Sequence, residues 1–183
     1  MLFRSFTNLT GEHAFVRMAY LMDFASFSQA ASTIAETNAD PDWQALWARA
    51  LGADAPGTPA GNTYVNFPDP DNPPPPGPWD PIISTLRQYR VERGRGDEAM
   101  ALLKELRERT LANGAGYIRI GRLGYGPNAG GMTMAIEHES WEAWGKANDA
   151  AGPEMREWIR THLGAGSPVR MLDNIVRVRI PLA

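Results

Sequence analysis

Basic and aromatic side chains recur at every second position on three β-rich stretches of the chain. The pairs are Arg87 with Tyr89, Tyr117 with Arg119, and Arg177 with Arg179. Alternate residues of a strand lie on the same face of a sheet, so each pair predicts a polar face. The reverse face carries apolar residues such as Ile118 and Ile120. We expect the apolar faces to meet helices and the polar faces to line an interior or to face solvent.

A cavity lined by these polar faces would suit an anion, because arginine forms paired hydrogen bonds with planar anionic groups. The predicted ligand-binding residues are Arg87, Tyr89, Tyr117, Arg119 and Arg177. Their ligand would be a carboxylate, an enolate or a phosphate. The alternative is a solvated or interface sheet face, on which the arginines form ordinary ion pairs with acidic neighbours such as Glu137 or Glu139.

His138 is the candidate catalytic residue, because it ends a predicted strand close to Trp141 and histidine transfers protons near neutral pH. The alternative is a structural or surface histidine. His13 and His162 lie on other predicted elements, so the three histidines have no metal-ligand spacing. The sequence therefore predicts no metal site, and no cofactor.

The glycine-rich stretch GRLGYGPNAGG, from Gly121 to Gly131, is interpreted as the turn of a β-hairpin. A phosphate-binding loop would precede a helix and carry a Lys-Ser/Thr pair, whereas this stretch lies between two predicted strands. The chain has 183 residues, a formal net charge of −3 and no cysteine. These features exclude disulfides and thiolate chemistry, and they give no general attraction to nucleic acid or to an anionic membrane.

The chain has no run of about 18 apolar residues and no recognisable secretory signal. We therefore expect neither a nucleic-acid partner nor a membrane partner, and a cytoplasmic location. A small-molecule ligand and a homo-oligomer are the partners that the sequence leaves open.

Two stretches of the chain, residues 15–68 and 132–181, carry the same order of features. Each has an apolar strand, a helix marked by aromatic residues, a helix begun by proline, a glycine stop and a closing strand. Phe24 pairs with Trp141 and Phe27 with Trp144 at an offset of 117. The pairs at an offset of 112 are Pro41 with Pro153, Gly52 with Gly164, Ala53 with Ala165, Pro56 with Pro168, and Asn62 with Asn174. The pattern predicts a duplicated half-domain.

The second copy predicts the order β-α-β-β-α-β of a ferredoxin-like unit. Its elements are a strand over 82–91, a helix over 96–113 capped by Asp97, strands over 117–123 and 132–138, two short helices, and a strand over 175–180. The first copy begins at its second strand, so its first strand and first helix are missing. We favour a start that lies upstream over a natively short half.

The predicted fold class is α+β, with three segments. Residues 1–67 form the incomplete first repeat (ββαβ), residues 68–81 a proline-rich linker, and residues 82–183 the complete second repeat. The linker reads PDPDNPPPPGPWDP, which excludes helix and inner strand. A ligand for a proline-recognition domain is the alternative for this segment.

The segment DPDWQALWARALG (Asp40–Gly52), its counterpart GPEMREWIRTHLG (Gly152–Gly164) and the opening YRVERGRGDEAMALLKELRE (Tyr89–Glu108) resemble the dimeric α/β-barrel superfamily, most closely its NIPSNAP-type branch. The resemblance covers most of the chain except the linker. It implies antiparallel sheets packed as an α/β barrel, here built from tandem half-domains of one chain. Superfamily members include monooxygenases, cyclases and dehydratases. The Asn, Trp and His of the haem-degrading branch have no matching positions here.

The residues and the resemblance together assign no specific activity. The first hypothesis is a protein that binds or transforms a small anionic or aromatic molecule in a cavity between sheet and helices. If it is an enzyme, a cofactor-independent monooxygenase, isomerase or cyclase is expected. The alternative is a non-catalytic, self-associating scaffold protein.

Overall fold

The structure, a computed structural model, describes residues 2–8, 18–24, 26–51, 65–68, 81–125 and 128–179. These residues form strands and helices in the following order: β1 (Leu2–Asn8), β2 (Met18–Asp23), α1 (Phe27–Ala39), α2 (Pro41–Leu51), β3 (Val65–Pro68), β4 (Ile83–Val91), α3 (Gly96–Ala112), β5 (Tyr117–Tyr125), β6 (Met132–His138), α4 (Trp141–Ala150), α5 (Pro153–His162) and β7 (Val169–Arg179). The fold is α+β, as predicted. No helix in the described ranges is long and apolar enough to cross a membrane.

The strands form one sheet in the order β2-β1-β7-β4-β6-β5-β3. Every ladder with a described register is antiparallel. The central four strands, β7-β4-β6-β5, all belong to the predicted second repeat and follow the split βαβ arrangement expected for it. Strands assigned to the first repeat extend this sheet, since β1 pairs with β7 and β3 pairs with β5.

The sheet is not closed into a barrel, because β2 and β3 are its two edges. We expected two separate sheets packed face to face. Instead, the strands of the first copy pair edge to edge with those of the second, which satisfies backbone N–H and C=O groups that an isolated edge strand would leave unpaired.

The chain divides into two compact units, described separately below. The smaller contains residues 1–4 and 20–62, and the larger contains residues 5–19 and 63–183. The predicted segment boundaries stay a prediction, since residues 69–80 of the linker lie outside the described part, as do His13 and Gly126.

In the larger unit, one face of the sheet is covered by α3 and α5. The core contains Leu103 and Leu106 of α3, Trp158 of α5, and strand residues such as Ile120 and Met134, all 6% exposed or less. Leu103 and Leu106 recur at the helical spacing that produces one buried face. Gly114, at φ +93°, adopts a left-handed conformation that ends the α3 segment at the position the sequence predicted.

Helix caps explain where the paired short helices begin. Ser26 Oγ accepts a hydrogen bond from Gln29 N at 3.1 Å, and Ser140 Oγ accepts one from Ala143 N at the same distance. Asp40 Oδ1 accepts a hydrogen bond from Asp42 N at 2.8 Å, which confirms the predicted cap of α2.

Three local expectations need correction. The residue that caps α3 is Arg95, without a side-chain hydrogen bond, and Asp97 lies inside the first turn. Strand β7 begins at Val169 and not at 175, because it pairs along the whole of β4 up to Val91. The cap serines of α1 and α4 lie 114 residues apart, whereas the predicted pairing of the aromatic residues has an offset of 117.

Candidate functional site

A row of polar residues crosses the sheet on the face opposite α3 and α5. Arg177 lies opposite Ser84, Ser84 opposite Glu137, and Glu137 opposite Tyr117. Directly opposed residues on antiparallel strands share a face, so these four residues, called the polar row below, are neighbours. Ser84 is 5% exposed and Glu137 is fully buried, while Tyr117 and Arg177 are half-buried.

Arg119 extends this site from β5. Its Nη2 donates to Glu137 Oε1 in a short ion pair. The side chain of Arg119 is 24% exposed, whereas that of Glu137 is inaccessible. The carboxylate is therefore shielded from solvent while part of the Arg119 side chain is exposed, and the charge-assisted bond fixes the orientation of Arg119.

Two rows further along the strands, beyond the apolar pair Leu86 and Ala135, the same face is polar again. Thr133 and Gln88 lie opposite one another and are 5% and 6% exposed. The Gln88 Oε1 atom accepts a hydrogen bond from Asn128 Nδ2 at 3.0 Å, which joins the β5–β6 turn to β4. Within the polar row itself, the two central members, Ser84 and Glu137, are buried.

Arg87 and Tyr89 lie on the other, helix-covered face, so their predicted place beside Arg119 is corrected. They are opposite Met134 and Met132, and Tyr89 is a fully buried member of the core. Arg87 Nε donates to Asn174 Oδ1 at 3.2 Å. Burial raises the pKa of Tyr89, and the positive charge of nearby Arg87 opposes that shift.

The physical reason for this error is that β4 carries polar residues on both faces. Ser84 and Gln88 alternate with Thr85 and Arg87, so hydrophobic alternation does not decide which face of β4 meets the helices. The pairing of β4 with β6 decides which face meets the helices. Met132 and Met134 of β6 belong to the core, and they lie opposite Tyr89 and Arg87.

His138 also lies on the helix-covered face, in line with Met134 and Ile136, and is 3% exposed. Its Nδ1 is buried and has no hydrogen-bond partner among the described residues. Burial lowers the pKa of His138, which favours the neutral imidazole. A catalytic role for His138 stays a prediction, and the structure places it on the face opposite Arg119.

The structure therefore brings together three of the predicted binding residues, namely Tyr117, Arg119 and Arg177, and adds Ser84 and Glu137. Glu137 was foreseen as an ion-pair partner for the arginines, and it holds that role for Arg119. Its complete burial could not be read from the sequence. The described residues contain no group of three His, Asp or Glu side chains arranged to hold a metal ion.

A second feature, absent from the sequence reasoning, lies on the outer surface where α3 meets α5. Glu105 Oε1 accepts hydrogen bonds from Trp158 Nε1 at 2.8 Å and from Arg109 Nη2 at 3.0 Å. These bonds lower the pKa of Glu105, with the tryptophan bond as the larger cause. His162 stacks on Trp158 with ring centroids 4.6 Å apart, and Arg109 lies 5.1 Å from the Trp158 ring centroid.

A surface cavity of about 390 Å³ adjoins this cluster. Its walls include Arg95, Glu98, Leu102 and His162. Arg95 is held by Glu98, by Glu92 and by the carbonyl of Gly166. Because the acidic residues of its walls, Glu98 and Glu105, are already paired with arginines of the same chain, this cavity is not assigned a ligand.

No protein-family model matches the chain, and no curated protein matches it. A solved structure does. The crystal structure of a candidate monooxygenase from Fusobacterium nucleatum subsp. nucleatum superposes with a TM-score of 0.53 and 12% sequence identity. The match covers 97% of this chain and 80% of that one. At this identity the likeness concerns the fold alone.

Proposed function

We propose that the chain binds a small anionic or aromatic molecule on the non-helical face of its sheet, through Arg119, Arg177 and Tyr117. The observation that carries the proposal is the partly exposed Arg119 side chain held by the fully buried carboxylate of Glu137. A guanidinium has five N–H donors in a planar fork, so one guanidinium can bind a carboxylate and a second planar anion together.

Glu137 has a positioning role in this proposal. A buried ion pair contributes little net stability, but it fixes the geometry of its members. The half-buried ring of Tyr117 lies beside Glu137 in the polar row and supplies an apolar surface for an aromatic ligand. Arg177, at the other end of the row, supplies a second positive charge.

The strand pairing supports the proposed tandem relation of the two halves. β1, the second strand of the first copy, pairs with β7, the fourth strand of the second copy. Reciprocally β3, the fourth strand of the first copy, pairs with β5, the second strand of the second copy. Reciprocal pairing is what a two-fold relation between homologous units requires. A relationship to the NIPSNAP-type branch of the dimeric α/β-barrel superfamily is part of the same proposal.

The same strand assignment fits a first half that lacks its first strand. In the second copy, the first strand β4 lies between the fourth strand β7 and the third strand β6. The corresponding strands of the first copy are β3 and β2, and these are the two edges of the sheet. A closed barrel would need one further strand between them.

A cofactor-independent monooxygenase is the second candidate function, supported by the fold shared with the Fusobacterium protein. Shared fold is weak support for shared chemistry. The position of His138 argues against its acting on a ligand held by Arg119, since the two side chains belong to opposite faces. An isomerase or cyclase that needs a histidine at the polar row meets the same objection.

Binding of benzoate and larger aromatic carboxylates tests the proposal by native mass spectrometry and isothermal titration. We expect Arg119→Lys to weaken binding by about tenfold or more, because lysine cannot form the paired bonds of a guanidinium. Arg122→Lys, three residues along on the helix-covered face, is the matched control and should bind as the wild type does. The proposal fails if no aromatic carboxylate binds, or if both variants bind equally well.

The scaffold hypothesis makes the opposite prediction. A self-associating scaffold would show a concentration-dependent mass by sedimentation and no saturable binding of aromatic carboxylates. The benzamides that match the tested acids serve as neutral controls, since a face that recognises anions should discriminate against them.

A further inference from the structure

Helices α2 and α5 occupy the same place in the two proposed halves but differ in what covers them. Both begin with a proline in the first turn, Pro41 and Pro153, at the offset of 112. At that offset Leu46 corresponds to Trp158. Trp158 is 6% exposed, whereas Leu46 is 47% exposed.

The burial of Trp158 has an identified cause. The tryptophan packs in the core with Leu103 and Leu106 of α3 and donates its indole N–H to Glu105 of the same helix. Met155, which corresponds to Trp43, packs against the same core. Among the described residues of the smaller unit, α1 and α2 contact each other and no helix corresponding to α3 is present.

The uncovered helices are apolar and acidic. Ile34 of α1 is 50% exposed, like Leu46 of α2. The charged residues of the segment from Ser26 to Leu51 are Glu36, Asp40, Asp42 and Arg49, a net charge of −2. A partner for this surface therefore needs an apolar helical face and a positive balance of charge.

We propose that α2 forms the docking surface for an amphipathic helix of the α3 type, supplied from outside residues 1–183 as a basic strand-helix segment. This inference rests on the tandem relation proposed above. Residues 81–113 of the chain itself are an example of such a segment, because they carry seven basic and five acidic side chains, a net charge of +2. A second copy of the chain is a poor source, because Leu103 and Leu106 of its own α3 are already fully buried.

A synthetic peptide of residues 81–113, labelled with a fluorophore, is the probe. Fluorescence anisotropy with the full chain should show saturable binding that weakens as salt is added. Leu46→Glu should weaken binding by at least ~10-fold, because it places a charge where an apolar contact is proposed. Ala45→Glu, an equally exposed neighbour on α2, adds the same charge and should have a much smaller effect.

Changes in the peptide provide a second test that does not depend on folding of the variant chain. Leu106→Glu in the peptide should abolish binding, whereas Ala101→Glu, on the exposed side of α3, should not. Binding that is absent, or equally weakened by the two changes of each pair, overturns the proposal.

Self-association is a separate outcome that also overturns it. If the chain alone forms a dimer that Leu46→Glu dissociates, the surface belongs to a second copy. Failure of the peptide assay while aromatic carboxylates still bind would remove this inference and leave the proposed function standing. If the peptide binds and no aromatic carboxylate does, the proposed function is overturned and the proposed docking surface stands.

Discussion

The Arg119–Glu137 pair offers the sharpest test of how the polar row is built. Replacing Arg119 with alanine removes an ion-pair partner of a carboxylate that is fully buried. Breaking a buried pair in this way costs about 3–5 kcal/mol of the free energy of unfolding. We expect about 3 kcal/mol, at the low end, since a quarter of the Arg119 side chain is exposed to solvent and water can reach the site.

The complementary change should cost less. Glu137→Gln keeps the shape of the side chain and removes its charge, and the partly exposed Arg119 can turn its guanidinium to solvent. We expect a loss of about 1–2 kcal/mol, typical of a weakened hydrogen bond. The double variant Arg119→Ala/Glu137→Gln should be more stable than Arg119→Ala alone, because the buried charge has been removed with its partner.

Urea unfolding at pH 7, followed by circular dichroism, measures these differences. The reasoning is refuted if Arg119→Ala costs less than Glu137→Gln, or if the double variant is less stable than Arg119→Ala.

Three further changes probe the core, a tight turn and the buried histidine. Leu103→Ala should reduce the free energy of unfolding by about 2–5 kcal/mol in urea titrations, since Leu103 is fully buried in the core. Gly131→Ala should lower it by about 1–3 kcal/mol, because a Cβ there would lie 2.5 Å from the Tyr89 carbonyl oxygen. Its matched control, Gly145→Ala, meets nothing within 4 Å and should stabilise α4 by about 0.5–1 kcal/mol. For His138 the folded-state pKa is lowered by burial, so the unfolded chain takes up the proton first. The contribution of His138 to the free energy of unfolding is then complete above the unfolded-state pKa of about 6.5 and is lost as the pH falls below it. His138→Gln should flatten thermal stability between about pH 7 and 5, and an unchanged slope would show that His138 does not titrate in this window.

The sequence was sufficient for the elements with strong local signals. The core face of α3, the stop at Gly114 and the strand Met132–His138 were all predicted within one residue of their observed limits. Each rests on a local cause, namely helical spacing, a left-handed glycine, or uninterrupted alternation. The cap at Asp40 was predicted for the same reason.

Relations between strands were harder to predict. Alternation within one strand fixes which residues share a face, but not which face meets the helices when both carry polar groups. Tyr89 shows the consequence, since its ring was placed beside Arg119 and instead lies buried against α3. The pairing of β4 with β6 resolves the question, and pairing depends on contacts between residues about 50 positions apart.

The helix caps align the two proposed copies differently from the aromatic residues. Ser26 and Ser140 have nearly the same backbone angles, with φ of −155° and −153° and ψ of 162° and 165°. Such agreement follows from a geometry that the cap itself imposes, whereas large apolar side chains are exchanged freely if volume is preserved nearby. Alignment on the caps gives an offset of 114 residues. The offset decreases to 112 at the prolines, because α1 has 13 residues, α4 has 10, and the short connections that follow the two helices differ in length. Under the proposed tandem relation, the position that corresponds to Trp158 is therefore Leu46, and its exposure is what we expect where the described residues contain no counterpart of α3.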